Sequence, residues 1–224
     1  MNWKKLYKKT GYFFFASLRR KCLDALLEKH RELYRGVVLD IGGRDRGIFQ
    51  SPKNMVEKWI ITDIEESRLP DVVLDVCDMH TFKNESVDVI NALEVFEHVG
   101  NPEKGLIECF RVLKKSGAFL VSMPFLYPVH ADPNDFQRWT AAKWKSELQK
   151  IGFLVETLHP MGYFFTVLAD MMKSLNTSLG HFKYFGFVFY PILHILVYLD
   201  QTKFVKNNPT LMSYTTGYFI ICRK

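Results

Sequence analysis

Between residues 37 and 125, short runs of Val, Ile and Leu alternate with stretches of helical spacing, and this alternation most constrains the fold. Val37–Ile41, Lys58–Asp63, Val72–Asp75, Val87–Ala92 and Ala118–Met123 read as five buried strands. Pro102–Lys115 carries Leu106, Ile107, Phe110 and Leu113 at helical spacing, with Ser116-Gly117 expected to end the helix. Trp139–Ile151 reads as another helix, followed by Gly152 and the strand-like Phe153–Leu158. Strands separated by helices point to an α/β fold, a mostly parallel sheet with helices on both faces. Tyr214–Cys222 alternates enough to add a C-terminal antiparallel edge strand.

A chain of 224 residues, 48% hydrophobic, can bury one large core. Four parts are expected: a basic amphipathic segment at 1–35, the core at 36–160, an apolar helical insertion or lid at 161–212, and the closing strand at 213–224. Cys22, Cys77, Cys109 and Cys222 lack metal-ligand spacing, so no structural zinc or other metal is expected and the thiols read as reduced. No cleavable export signal is visible near Met1, which points to the cytosol.

The net charge of +6 is concentrated at one end. Residues 1–35 hold ten Lys or Arg against Asp24, Glu28 and Glu32, and the remainder is nearly neutral. Interleaved with Trp3, Tyr7 and Tyr12–Phe15, this basic segment suits either an anionic membrane surface or a solvated helix packed on the domain. Without a second basic patch or a reading motif, nucleic acid is not the expected partner. After Pro160 the chain turns apolar; Tyr184–Leu199 has no charge but is too short, and too broken by Gly186 and Pro191, for a spanning helix. Residues 161–199 therefore read as a lid over the site or as a peripheral membrane contact at the inner face, and the oligomeric state is not legible.

Gly42 and Gly43 follow Asp40-Ile41 at a strand-to-helix turn, where missing Cβ atoms let a ligand approach the backbone. Asp63 ends the second strand at the distance where an acid can accept hydrogen bonds from ribose hydroxyls, although a helix cap would look the same. Asp75 and Asp78 follow the third strand, where a carboxylate can meet an adenine amine and Met79 can cover its ring; one of the two acids reads as a plain loop residue.

The stretches VVLDIGGRDRG, ITDIEE, VLDVCDMHTF and SVDVINALEVFEHVGNPEKGLIECFRVLKKSGAFLVSMPF, spanning residues 37–125, resemble the class I S-adenosylmethionine-dependent methyltransferases, including their small-molecule and sugar methyltransferases. The resemblance implies a Rossmann-like fold with S-adenosyl-L-methionine as cofactor. By position it puts Asp40, Gly42 and Gly43 around the methionine portion, Asp63 and Ile64 at the ribose, Asp78 and Met79 at the adenine, and Asn91, Ala92 and Glu94 on the sulfonium side. Arg44 stands where many members have a third glycine.

The loop His130-Ala-Asp-Pro-Asn-Asp135-Phe-Gln-Arg138-Trp-Thr140 resembles a pattern of methyltransferases encoded among bacterial surface-polysaccharide enzymes. It follows a strand C-terminus, the ligand side of an open α/β sheet. A sugar hydroxyl is a poor nucleophile at neutral pH, so a base is expected: His130 oriented by Asp135, with Glu97 and His98 as the competing acid/base pair. Arg138 suits a substrate phosphate or carboxylate, or else an ion pair with Asp132 or Asp135. The implied activity is O-methylation of a sugar or glycan, lipid- or nucleotide-linked, in surface polysaccharide biosynthesis. The alternatives are an amphiphilic acceptor such as a quinone or lipid, and a catalytically silent partner protein at a membrane.

Overall fold

The computed structural model describes residues 11–14, 16–43, 47–52, 54–130, 134–178 and 190–224. Arg44 and Asp132 lie outside the described residues, as do residues 1–10 and 15 of the basic N-terminal segment and the first part of the uncharged run from Tyr184.

The strands are β1 (Gly36–Ile41), β2 (Val56–Asp63), β3 (Val72–Val73), β4 (Val87–Leu93), β5 (Leu113–Pro124), β6 (Leu154–Pro160) and β7 (Gly217–Arg223). They form one sheet in the order β3-β2-β1-β4-β5-β7-β6. β1 to β5 pair in parallel, and β7 runs antiparallel to both neighbours. The C-terminal antiparallel strand thus stands at the expected end of the sheet, one place in from the rim. β6 is outermost, because the apolar Phe219–Cys222 run, buried on both faces, finds pairing partners on both sides.

Alternate side chains serve opposite faces. Leu39, Ile90, Phe119, Val121 and Ile220 join a core with Leu106, Cys109 and Val112 of α2 (Pro102–Val112) and Trp144 and Leu148 of α3 (Ala141–Ile151). Val38, Val89, Leu120, Phe219 and Ile221 meet Leu23 and Leu27 of α1 (Leu18–Lys29) on the other. Asn101 caps α2 by accepting from the Lys104 amide, with Pro102 in the first turn. The helix ends at Val112, short of the expected Lys115, because Leu113 is already paired with Val87 in the sheet. Ser116-Gly117 instead bends β5, with Ser116 at φ 59°. Thr140 caps α3 and Gly152, at φ 112°, closes it.

The region after Pro160 forms α4 (Phe164–Ser178), α5 (Tyr190–Leu199), α6 (Lys203–Lys206) and α7 (Pro209–Met212). Asp200 accepts from the Tyr163, Phe165 and Thr166 amides at the start of α4. Asp170 of α4 accepts from the Leu18 and Arg19 amides, capping α1 at 2.7 and 3.1 Å. The apolar insertion is thereby tied to α1. Among the described residues, no helix is long and apolar enough to cross a membrane.

Candidate active site

The order of strands reverses at β1, which lies between β2 and β4, and a crevice opens beyond the C-terminal ends of β1 and β4. Two cavities, of about 410 and 520 Å³, occupy it and share Ile41 and Gly42. Gly42 sits at φ 64°, and a Cβ there would lie 2.8 Å from Val95 Cγ2. A Cβ on Gly43 would come within 2.7 Å of Asp40 Cγ, so both positions require glycine, as expected of a backbone cradle.

The smaller cavity is lined by Asp40, Gly42, Gly43 and Asn91, and by Arg20, Trp59 and Leu93. Parallel register sets Asp40 beside Asn91, whose Nδ2 donates to Asp40 Oδ1 at 2.6 Å. Trp59 Nε1 donates to the other carboxylate oxygen at 3.0 Å, and Tyr34 Oη donates to Asn91 Oδ1 at 2.8 Å. This chain of bonds fixes the Asp40 carboxylate at the mouth of the glycine turn. Ala92, expected beside the sulfonium, is fully buried in the sheet and lines neither cavity.

The larger cavity is lined by Asp63, Ile64, Glu94 and His98, and by Arg68, Asp75, Val76 and Cys77. Asp63 receives the Glu65 amide and the Arg68 guanidinium, at 3.1 to 3.2 Å for the latter. Arg68 carried no sequence signal, since its approach depends on the turn between β2 and β3. Asp78 and Met79, expected at an adenine, line neither cavity. The chain folds back after β3 through a bridge between Asp75 and Asp78, which sends the Met79 side chain wholly into the core and turns Asp78 outward to His80. The Met79 amide is bound by Glu108 Oε2. Asp75, whose side chain accepts from the Cys77 amide, lines the larger cavity with Val76 and Cys77 instead.

Glu94 leaves β4 at φ 58° and meets the Arg19 and Arg20 guanidiniums, the latter at 2.9 Å. Arg19 also lies 4.1 Å over the Tyr127 ring. Sequence charge counting placed these two arginines in a basic surface segment, yet Arg19 is buried, delivered inward by α1.

The turn after β4 and the loop after β5 form the polar side of the crevice. Phe136 N donates to Glu97 O, and Gln137 Nε2 donates to the carbonyls of Phe96 and Val99, which pins the loop to the turn. Gln137 was missed in the sequence because its partners are backbone atoms. His98 and His130 then stand edge to face, 5.1 Å between ring centres, with His98 Nε2 3.8 Å from Glu97 Oε1. Glu97 is fully buried, and neither carboxylate oxygen has a hydrogen bond among the described residues; burial pushes its carboxyl up to about 7. Arg138 grips Asp135 through both guanidinium ends, holding that carboxyl down to about 2. Asp135 steadies His130 mainly through the backbone amide at 2.9 Å, the imidazole Nδ1 lying 3.4 Å away. Of the two roles open to Arg138, the ion pair with Asp135 is the one formed.

Residues 50–121 match the family described as methyltransferase domain, a span from the approach to β2 through most of β5. A SAM-dependent methyltransferase from Archaeoglobus fulgidus shares the fold over 97% of this chain and 99% of its own, at 16% identity and a TM-score of 0.59. A protein of Bacillus halodurans C-125 described as a candidate methyltransferase follows over 90% and 98%, at 18% identity and 0.56. Phosphoethanolamine N-methyltransferase 2 of Haemonchus contortus, in complex with S-adenosyl-L-methionine, matches 90% of this chain and 52% of its own at 15% identity and 0.55. At these identities the likeness speaks for the fold, and no curated protein matches the chain. The glycine cradle fits the cofactor of that fold: residues 50–121 match a methyltransferase domain, and the chain shares the fold of S-adenosylmethionine-dependent methyltransferases.

Proposed function

We propose that the chain methylates a hydroxyl of a sugar or glycan, lipid- or nucleotide-linked, in surface polysaccharide assembly. The supporting observation is the cluster of Glu97, His98 and His130 beside the larger cavity, since His98 lines that cavity and packs against His130. A hydroxyl needs its proton loosened before it can attack, and this cluster is where it is activated. S-adenosylmethionine, when bound, supplies a methyl group already activated on a sulfonium. Asp40, Gly42, Gly43 and Asn91 would hold its methionine end, Asp63 and Ile64 its ribose, and Asp75 to Cys77 its base. Orienting the hydroxyl in line with the sulfur then contributes several kcal/mol. The Arg138–Asp135 pair holds the His130 loop in place.

A peripheral membrane contact belongs to the same proposal. Leu168, Met171 and Leu175 of α4 and Ile192, Ile195 and Tyr198 of α5 are exposed, an apolar surface that suits the headgroup boundary. Phe13 stacks on His194 and packs at a tilt against Tyr190, joining the N-terminal segment to this face. The same surface supports a second reading, an amphiphilic acceptor such as a quinone or lipid.

Purified enzyme given cofactor and lipid-linked or nucleotide-linked sugars should release S-adenosylhomocysteine. Mass spectrometry of surface glycans should find one methyl missing when the gene is deleted. Turnover on a quinone, with glycans unaltered, would replace the first reading by the second. The full chain should sediment with phosphatidylglycerol vesicles and lose that property in a Met171→Glu/Leu175→Glu variant; equal sedimentation of the two would remove the membrane contact.

A further inference from the structure

Glu97, His98 and His130 each place one potential ligand atom within 4.8 Å of the others. The two imidazoles are turned alike. His98 Nδ1 faces the Asn134 carbonyl at 2.5 Å, and His130 Nδ1 faces the Pro128 carbonyl at 3.2 Å. A carbonyl can only accept, so each Nδ1 carries a hydrogen, and in the neutral ring Nε2 is the nitrogen able to act as a metal ligand. Metal-ligating histidines are held in this way, the second nitrogen donating to a backbone carbonyl or carboxylate. Asp135, 3.4 Å from His130 Nδ1, adds a carboxylate behind one of them.

Glu97 supplies an independent observation. Its carboxylate is wholly buried, and both oxygens lack a hydrogen-bond donor among the described residues. Burying such a group without a partner is costly. The neighbouring cations are engaged elsewhere, Arg19 with Glu94 and Arg138 with Asp135.

From this geometry we infer that Glu97, His98 and His130 form a binding site for a divalent transition-metal cation. Two imidazole nitrogens and one carboxylate suit Zn²⁺, Mn²⁺, Fe²⁺ or Co²⁺ better than Mg²⁺ or Ca²⁺. Ligand atoms about 2.1 Å from a tetrahedral ion lie roughly 3.4 Å apart, so atoms now within 4.8 Å close by up to about 1.4 Å on binding. The partly exposed His130 side chain has room for that movement.

Three protein ligands leave a coordination position open, as in sites that act on substrate. Resting on the proposed hydroxyl acceptor, the site gains a role. The cation's charge eases loss of the hydroxyl proton to water, and the oxygen lone pair then forms the new C–O bond as the C–S pair returns to sulfur.

The site can be tested without any acceptor. Chelator-stripped full-length enzyme should take up one equivalent of Co²⁺, with visible absorption that Zn²⁺ bleaches. His130→Ala and Glu97→Gln should each weaken binding at least about tenfold. Thermal unfolding of the stripped variants identifies any that fail to fold, and His130→Ala, at a half-exposed position, is the one expected to keep its fold. No uptake, or uptake by folded His130→Ala equal to the parent, overturns the site. Uptake without methylation of any hydroxyl supports the site and overturns the hydroxyl acceptor. Methylation at full rate in excess chelator overturns the cation's role in transfer.

Discussion

At the end of β1 the Asp40 carboxylate is bound by Asn91 and Trp59, whereas across the crevice the Glu97 carboxylate is buried with neither oxygen hydrogen-bonded among the described residues. The first side is made of backbone, glycine and closed hydrogen bonds, and these set a rigid seat. The second side is made of side chains brought from two loops, with polar capacity left over. Saturated groups hold a ligand in place, while unsaturated buried groups are costly and mark where chemistry or a further ligand is accommodated. α1 joins the two sides, since Arg20 lines the smaller cavity while both Arg19 and Arg20 bind Glu94 in the larger one.

The contrast breaks most directly at His130. His130→Ala should lower turnover by about 10²–10⁴-fold and leave S-adenosylhomocysteine affinity, read by calorimetry, unchanged. A parallel loss of cofactor affinity would show that the two sides are not separate. Next comes the junction: Glu94→Gln leaves the buried Arg19 and part-buried Arg20 guanidiniums short of their counter-charge, and urea unfolding should report a loss of about 3–5 kcal/mol. A loss below about 1 kcal/mol would mean the pair behaves as a surface contact.

On the rigid side, Gly42→Ala should cost about 1–3 kcal/mol of strain, seen as weakened S-adenosylhomocysteine binding with little change in the melting of the sheet. Unaltered affinity would remove the glycine cradle from the cofactor site.

The smallest effect is expected at the α1–α4 contact. Lys173 is buried, with Lys21 and Asp170 nearby, and its Nζ donates to the Ala16 carbonyl. Burial, and secondarily Lys21, lowers its pKa from 10.5 to about 8. The unfolded chain therefore keeps this proton to higher pH than the folded one, so this residue's contribution to stability rises as pH climbs from about 8 to 10.5 and is flat below. Lys173→Met should remove that rise from unfolding free energies measured at pH 7 and pH 10. An identical pH dependence in parent and variant would show that Lys173 is not the titrating group.

Much of the crevice was legible because strand ends are local features. Apolar runs closing on Asp40 and Asp63, with glycines after the first, define where a cofactor meets an open sheet. The adenine side misled because Asp75 and Asp78 lie in one short turn, and a bridge between them decides which faces the cavity. Arg19 and Arg20 misled for a different reason: charge counting sees a basic segment, and only the caps from Asp170 and the position of α1 show that two of its cations point inward.

The sequence by itself determined the parallel sheet, the glycine turn and the strand-end acids, because each follows from side-chain period or from a backbone angle within a few residues. Tertiary structure alone decided that β7 enters between β5 and β6, that Asp75 and not Asp78 lines the larger cavity, and that Glu97 and His98 meet His130. The first and last of these depend on contacts between segments distant in the chain and the second on a bridge within one turn, and such pairings leave no periodic trace in the amino-acid order.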